Sequence, residues 1–274
     1  MGVSVLSGEL MEFTRIIQLT DIHLLPGKDD RILGIDSCQS LHDILFDIEA
    51  LEIPPMLIVA TGDLAEDGSK VTYERLKGIL DKINFPVFVV PGNHDNVANM
   101  KESLVSESIK MQTNTEVQGW VIAFVNSQVF SQDYGCIDQQ ELSRLENTLS
   151  KANGKPCIVA LHHSLTPECV SPECQLKNAQ ELLELMSKYP NVKAVIAGHT
   201  HCCTEAMHSD ISLLTTPSTF LHASHAKQGE SQDHDSFEKS HQFDDSRRGY
   251  RIVDLFENGD INSEVRWVYS GLSA

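Results

Sequence analysis

The chain has 274 residues, 41% of them hydrophobic, and a formal net charge of −18. That length suits one large α/β domain with a sizeable core, and the acidity argues against nucleic acid or an anionic membrane surface as partner, because both attract basic patches. No run of eighteen apolar residues offers a membrane span, the first twelve residues lack the basic start and apolar stretch of a secretory signal, and seven irregularly spaced cysteines read as reduced thiols of a cytoplasmic protein.

An apolar, β-branched run at 15–20 predicts the first strand of the core and is followed by Asp21-Ile-His23. Leu41, Ile44, Leu45 and Ile48 then recur at helical spacing, with Asp36 or Ser37 as the N-cap. A strand at 56–61 leads into Gly62-Asp63, and Leu76, Ile79, Leu80 and Ile83 predict a second helix. The run at 86–90 leads into Gly92-Asn93-His94-Asp95. After a strand at 120–126, Asp138 and Glu141 read as a capping box before the stripe Leu142, Leu145, Leu149. A strand at 157–161 precedes His162-His163, a helix is expected over 178–189, and a strand at 192–197 precedes Gly198-His199-Thr200-His201. Further strands are expected at 211–216, 250–256 and 265–269. They come without intervening helices, which suggests a second, more antiparallel sheet. The stretch 225–248 is polar and nearly devoid of aliphatic residues, so it reads as a mobile surface loop in which His225, His234 and His241 are scattered solvated residues.

Each of the five polar motifs follows a strand. A strand that ends in Asp, Asn or His puts an oxygen or nitrogen donor on the rim of its sheet, and five such rims can surround a pair of metal ions. Imidazole, carboxylate and amide donors suit zinc, iron or manganese better than calcium. Cys202 and Cys203 follow His201 but read as ordinary buried residues, and Cys169 and Cys174 have no second pair with which to hold zinc.

This ordered set resembles the calcineurin-like metallophosphoesterases. Asp21-Ile-His23-Leu24, Leu33-Gly34-Ile35, the stretch 57–65, Asn126-Ser-Gln-Val129, Leu176-Lys-Asn-Ala179 and Thr216-Pro-Ser-Thr219 resemble the bacterial class III cyclic AMP phosphodiesterases among them. The likeness runs from about residue 15 to about residue 268 and is weakest at 223–248. The resemblance implies a four-layer α/β/β/α sandwich in a single domain spanning 1–274. It implies two divalent or trivalent ions (iron, manganese or zinc), the first held by Asp21, His23, Asp63 and His201 and the second by Asp63, Asn93, His162 and His199. A bridging hydroxide would attack phosphorus in line, and His94 would protonate the leaving oxygen, with Asp95 orienting its ring.

His163 reads as a residue beside the ligands, with a register in which it is itself the ligand left open. Asn93, His94 and His163 are the residues expected to touch substrate. The expected reaction is hydrolysis of 3′,5′-cyclic AMP to 5′-AMP. The runner-up is action on other small phosphodiesters, such as 2′,3′-cyclic nucleotides or glycerophosphodiesters. A non-catalytic binding protein on this fold would be expected to lose ligand positions, and none is lost here.

Overall fold

Neighbouring residues of the apolar strands face two different cores. Ile16 packs into a central apolar cluster, whereas Ile17 and Leu19 pack into an outer one. Such alternation is the period of a strand buried on both faces. The computed structural model describes residues 2–6, 9–166, 174–225, 241–244 and 246–269.

In chain order the elements are β1 (Gly2–Leu6), β2 (Glu9–Leu19), α1 (Ser37–Glu49), β3 (Leu57–Thr61), α2 (Lys70–Leu80), β4 (Val87–Val90), α3 (Val97–Asn99) running into a π-helical turn (Met100–Leu104), β5 (Ile109–Lys110), β6 (Asn114–Val117) and β7 (Trp120–Phe124). There follow α4 (Gln139–Lys151), β8 (Cys157–Ala160), α5 (Ala179–Met186), β9 (Val192–Ala197), β10 (Thr204–His208), β11 (Ile211–Thr215), β12 (His222–His225), β13 (His241–Asp244), β14 (Arg247–Phe256) and β15 (Ile261–Tyr269). One sheet has the order β15-β14-β2-β3-β4-β5, with β1 also paired to β2, and the other has the order β10-β11-β9-β8-β7-β6.

Three apolar clusters define the layers. The first lies between β2, β3, β4 and the helices α1 and α2. The second joins the two sheets face to face, with Ile16, Val59, Phe88 and Val253 meeting Ile122, Ile158, Ile196 and Leu214. The third lies between the second sheet and α4 and α5. This is the expected α/β/β/α sandwich. The sheets are also joined by polar bonds. Buried Gln18 of β2 donates to Thr61 Oγ1 (2.9 Å) and to the Ala197 carbonyl (3.0 Å), and Thr216 Oγ1 donates back to Gln18 Oε1. Arg251 of β14, fully buried, donates to Glu205, Thr215 O and Ser263.

Several expectations change. The second sheet is not the antiparallel one: β7, β8, β9 and β11 run parallel within it, and only β6 and β10 are antiparallel edges. The late strands β14 and β15 return to pair antiparallel beside β2, because the β2 edge is where their apolar faces meet both neighbouring cores. Asp36 caps α1 by accepting from Gln39 N–H, and Asp138 caps α4 by accepting from Glu141 N–H. The reciprocal half of the capping box is missing, because the Glu141 carboxylate is taken by Asn126 N–H and Arg144. The helix expected over 178–189 is shorter at its end: it runs Ala179–Met186, and after Ser187 the chain tightens into turns in which Lys188 N–H donates to Leu185 O and Tyr189 N–H to Met186 O, while at its start Asn178 spends its side chain on the Ile137 backbone instead of capping. The polar stretch 225–248 is flanked by an antiparallel pair, β12 with β13, and β14 already begins at Arg247, so it is not loop throughout. Most of that expected loop, 226–240 with its His234, lies outside the described residues.

Candidate metal centre

The donors are carried by loops at the carboxyl ends of parallel strands: β2, β3 and β4 of the first sheet, β8 and β9 of the second. Such ends are the usual binding edge of α/β sheets. The loops turn so sharply that Asp21, His23, Asp63, His199 and His201 all have positive φ, between 47° and 71°. That region is uncommon for non-glycine residues and costs roughly 1–3 kcal/mol each. Gly92 and Gly198 permit close approach: a Cβ at Gly92 would lie 2.2 Å from Asp63 Oδ1, and one at Gly198 would lie 1.8 Å from Thr20 Oγ1.

Among the described residues, Asp21, His23 and His201 form one group of donor atoms within 4.8 Å of one another, and Asp21, Asp63 and His162 form another. Asp63 Oδ2 lies 3.6 Å from His23 Nε2 and 3.3 Å from His162 Nε2. His162 Nε2 is also 3.0 Å from Asn93 Oδ1 and 3.2 Å from His199 Nδ1. His23 Nε2 faces His201 Nε2 at 3.2 Å, and His201 Nε2 lies 3.6 Å from Asp21 Oδ1.

Outer partners set the tautomers. His162 Nδ1 donates to the Thr61 carbonyl (2.8 Å), His199 Nε2 donates to the Cys174 carbonyl (2.9 Å), and His23 Nδ1 donates to Glu66 (2.6 Å). With those protons placed, the opposite nitrogen of each ring offers a lone pair to the cluster. Lone pairs then face one another at hydrogen-bond distance. Such an arrangement calls for a cation or an extra proton, so the donor set fits metal ions.

The electrostatics agree. Burial disfavours charge on His162, yet the Asp63 carboxylate outweighs it and raises the ring to about 9. Burial, reinforced by the negative charge of Asp63, pushes Asp21 up to about 6. Burial, and then the charge on His162, lowers His199 to about 3. Excess negative charge in this buried site thus raises the proton affinity of Asp21 and His162, as it would draw in metal, while His199 beside His162 is kept neutral.

Asp21 is held from behind. Thr20 Oγ1 donates to its carboxylate, as does His199 N–H, and Ser218 Oγ donates to its carbonyl oxygen. The Thr216–Thr219 segment therefore braces this loop. His94 N–H donates to Asp63 Oδ1, and its ring remains 36% exposed.

Asp95 does not orient His94. It is buried and accepts from the N–H groups of Leu64, Ala65 and Gly92 and from Tyr73 O–H, so it fastens the Asp63 loop to the Asn93 loop. Glu66 stands at the His94 ring instead. Its Oε2 is 3.3 Å and its backbone carbonyl 3.2 Å from His94 Nδ1, while the same oxygen binds His23. The sequence reading missed Glu66; the available signal was a carboxylate three residues beyond Asp63.

His163 is fully buried, with Nδ1 on Ser127 Oγ (2.8 Å) and Nε2 on the Asp133 carbonyl (3.2 Å). One of its nitrogens lies near donors of His162 and His199, but both are engaged by protein groups, which leaves neither open to substrate. Cys202 is buried as expected and Cys203 is exposed. Neither belongs to a donor group found among the described residues.

The family model for calcineurin-like phosphoesterases matches residues 14–203. The chain is 28% identical to the 3′,5′-cyclic adenosine monophosphate phosphodiesterase CpdA of Vibrio vulnificus, over 94% of this chain and 91% of the relative. It is 31% identical to the protein of that name from Escherichia coli K12, over 92% and 88%. Among solved structures, a dimetal phosphatase from Danio rerio aligns with a TM-score of 0.60 and 14% identity, covering 93% of this chain and 98% of that one. GAP50, the anchor in the inner membrane complex of Plasmodium, aligns at 0.62 and 19%, covering 96% and 86%. At such identities the structural likeness speaks to the fold alone.

Proposed function

The chain belongs to the calcineurin-like phosphoesterase family, and from that premise we propose that it hydrolyses 3′,5′-cyclic AMP to 5′-AMP at a two-metal centre. Asp21, His23, Asp63 and His201 would hold one ion and Asp63, Asn93, His162 and His199 the other. The observation that carries this reading is the place of Asp63, whose Oδ2 stands between His23 Nε2 and His162 Nε2 at 3.6 and 3.3 Å. The donor chemistry favours iron, manganese or zinc. When bound, two such ions neutralise charge on the phosphoryl oxygens and make water a nucleophile at neutral pH.

The chain's own residues supply the rest. Opening the ring to 5′-AMP breaks the bond from phosphorus to O3′, and the oxygen of water takes its place. The departing alkoxide is strongly basic and needs a proton. His94 is the acid: its Nδ1 is committed to Glu66, so Nε2 is the nitrogen left to donate to O3′. Glu66 fixes the tautomer and direction of both His94 and His23. The cyclic nucleotide as substrate is supported by the names of the relatives that align over most of the chain. We read the chain as one domain, since strands from near both its ends share a sheet. Among the described residues no helix is long and apolar enough to cross a membrane and six cysteines stand without disulfides, in keeping with a cytoplasmic enzyme.

The test is product analysis on enzyme stripped with chelator and reloaded with manganese, iron or zinc. Reloaded enzyme is expected to give 5′-AMP from cyclic AMP, and stripped enzyme is expected to give none. Turnover of 2′,3′-cyclic AMP but not of 3′,5′-cyclic AMP by reloaded enzyme would overturn the substrate assignment while leaving the metal chemistry intact.

A further inference from the structure

Phe130 is 84% exposed, the most exposed of the large apolar side chains among the described residues. Single exposed apolar residues are ordinary, but the setting of this one is not. It lies in a turn closed by a bond from Gln132 N–H to the Val129 carbonyl, followed by Ser131 at φ 56°. Turn positions are normally filled by Gly, Pro, Asn, Asp or Ser, and nothing in the packing of this turn asks for an aromatic ring.

The loop that carries the turn is tied to the candidate centre at both ends. On one side, Gln128 Nε2 donates to the carbonyls of Gly92 and Asp95, which bracket Asn93 and His94. On the other, Gly135 lies against His163, where a Cβ would come 2.5 Å from the ring, and the His163 ring lies 4.6 Å from that of His199, tilted by 50°. Residues 128 and 135 bridge to each other and close the loop. Two residues span at most about 7 Å, so the Phe130 backbone stands within that distance of the Gln128 backbone, and the Gln128 side chain spans from there to the carbonyls that bracket Asn93 and His94. The two spans together are on the scale of a nucleotide. Phe46 and Tyr269, also exposed, line a separate groove between α1, α2 and β15.

We propose that Phe130 is the stacking platform for the purine of the nucleotide, a base subsite built on the loop 127–136; this rests on the phosphodiesterase reading above. A neutral aromatic face suits the task in a chain of charge −18, because stacking asks for no cation and every base has a π-face.

The experiment uses full-length, metal-loaded enzyme and measures inhibition of cyclic AMP hydrolysis by 5′-AMP and by ribose 5-phosphate, which lacks the base. In Phe130→Ala the KM for cyclic AMP and the inhibition constant of 5′-AMP are expected to rise about 5- to 100-fold, with kcat and the constant for ribose 5-phosphate little changed. Phe130→Trp should retain tight 5′-AMP binding, and its added indole fluorescence should be quenched by 5′-AMP but not by ribose 5-phosphate. A wild-type enzyme that prefers 5′-AMP, together with an Ala variant that keeps this preference, would overturn the platform and leave the function standing. A wild-type enzyme indifferent to the base would likewise overturn the platform alone, whereas metal-loaded enzyme that leaves cyclic AMP uncleaved would overturn the function on which it rests.

Discussion

The rim of the first sheet supplies every oxygen donor of the candidate centre, from Asp21, Asp63 and Asn93, whereas the rim of the second supplies only the imidazoles of His162, His199 and His201. Negative charge is concentrated on one side, and the other side offers imidazole nitrogen alone. Neither sheet alone holds a complete set, so the alignment of the two sheets is itself a functional quantity. Gln18 serves that alignment, bonding Thr61 of its own sheet and Ala197 of the other, each at the end of a donor-bearing strand.

The sharpest way to break this asymmetry is at the shared carboxylate. Asp63→Ala, which removes the carboxylate both ions would share, is expected to lower metal content from two ions per chain to none and to take hydrolysis below detection. His162→Ala, on the imidazole rim, should cost one ion. Elemental analysis of the two purified variants distinguishes these outcomes, and equal metal loss from both would remove the distinction between the rims.

Next in size are the groups around the leaving oxygen. His94→Ala should keep both ions and slow cyclic AMP hydrolysis by about 10²- to 10⁴-fold. The loss should be smaller on a nitrophenyl ester, whose leaving group needs no proton. Glu66→Gln should cost about 10- to 100-fold, as expected for a partner that orients a ligand. Its effect should divide between weaker metal retention through His23 and slower proton delivery through His94. Steady-state rates at saturating metal separate the two parts.

A smaller effect is expected where the sheets are joined. Gln18→Leu removes one partner of a buried polar network and leaves others unsatisfied, at a cost of about 1–3 kcal/mol. For a chain of this size that lowers Tm by roughly 2–4 °C for each kcal/mol, readable by calorimetry. A larger fall in activity than in folded fraction would show the misaligned rims directly.

The smallest effect belongs to a region remote from both rims. Asp47 of α1 accepts from Arg266 of β15 and from Tyr250 O–H. Burial alone would raise its carboxyl, but these bonds outweigh burial and hold it below its ordinary value of 3.8. A carboxylate depressed on folding stabilises the protein above its ordinary value, and that contribution is lost as pH falls through the folded value. Asp47→Asn should therefore lower Tm slightly at neutral pH, with the two melting curves converging as the solution is acidified below 3.8. Activity should be unchanged.

The donors were legible in the sequence because each is local, a polar residue at the end of an apolar run. The four layers could not be read from pattern alone, because β14 and β15 look like a continuation of β11 until pairing carries them back beside β2. The exchange of roles between Glu66 and Asp95 was hidden for a related reason. Both are carboxylates near the centre, and only the fold decides that Asp95 turns inward to three backbone N–H groups while Glu66 reaches two imidazoles. Gln18 was invisible as a seam residue, since its partners lie 43 and 179 positions away.

Five donor residues held in the left-handed region set folding against function at the same positions. Glycine or asparagine at any of them would relax the backbone, so relaxed chains lie a single substitution away. Tightly bound ions favour only the folded chain that presents all the donors, and they stabilise it in proportion to the logarithm of their concentration over the dissociation constant. The steady-state amount of this enzyme in a cell should therefore follow the supply of its metals, with chains made during scarcity unfolding more often and reaching proteases first.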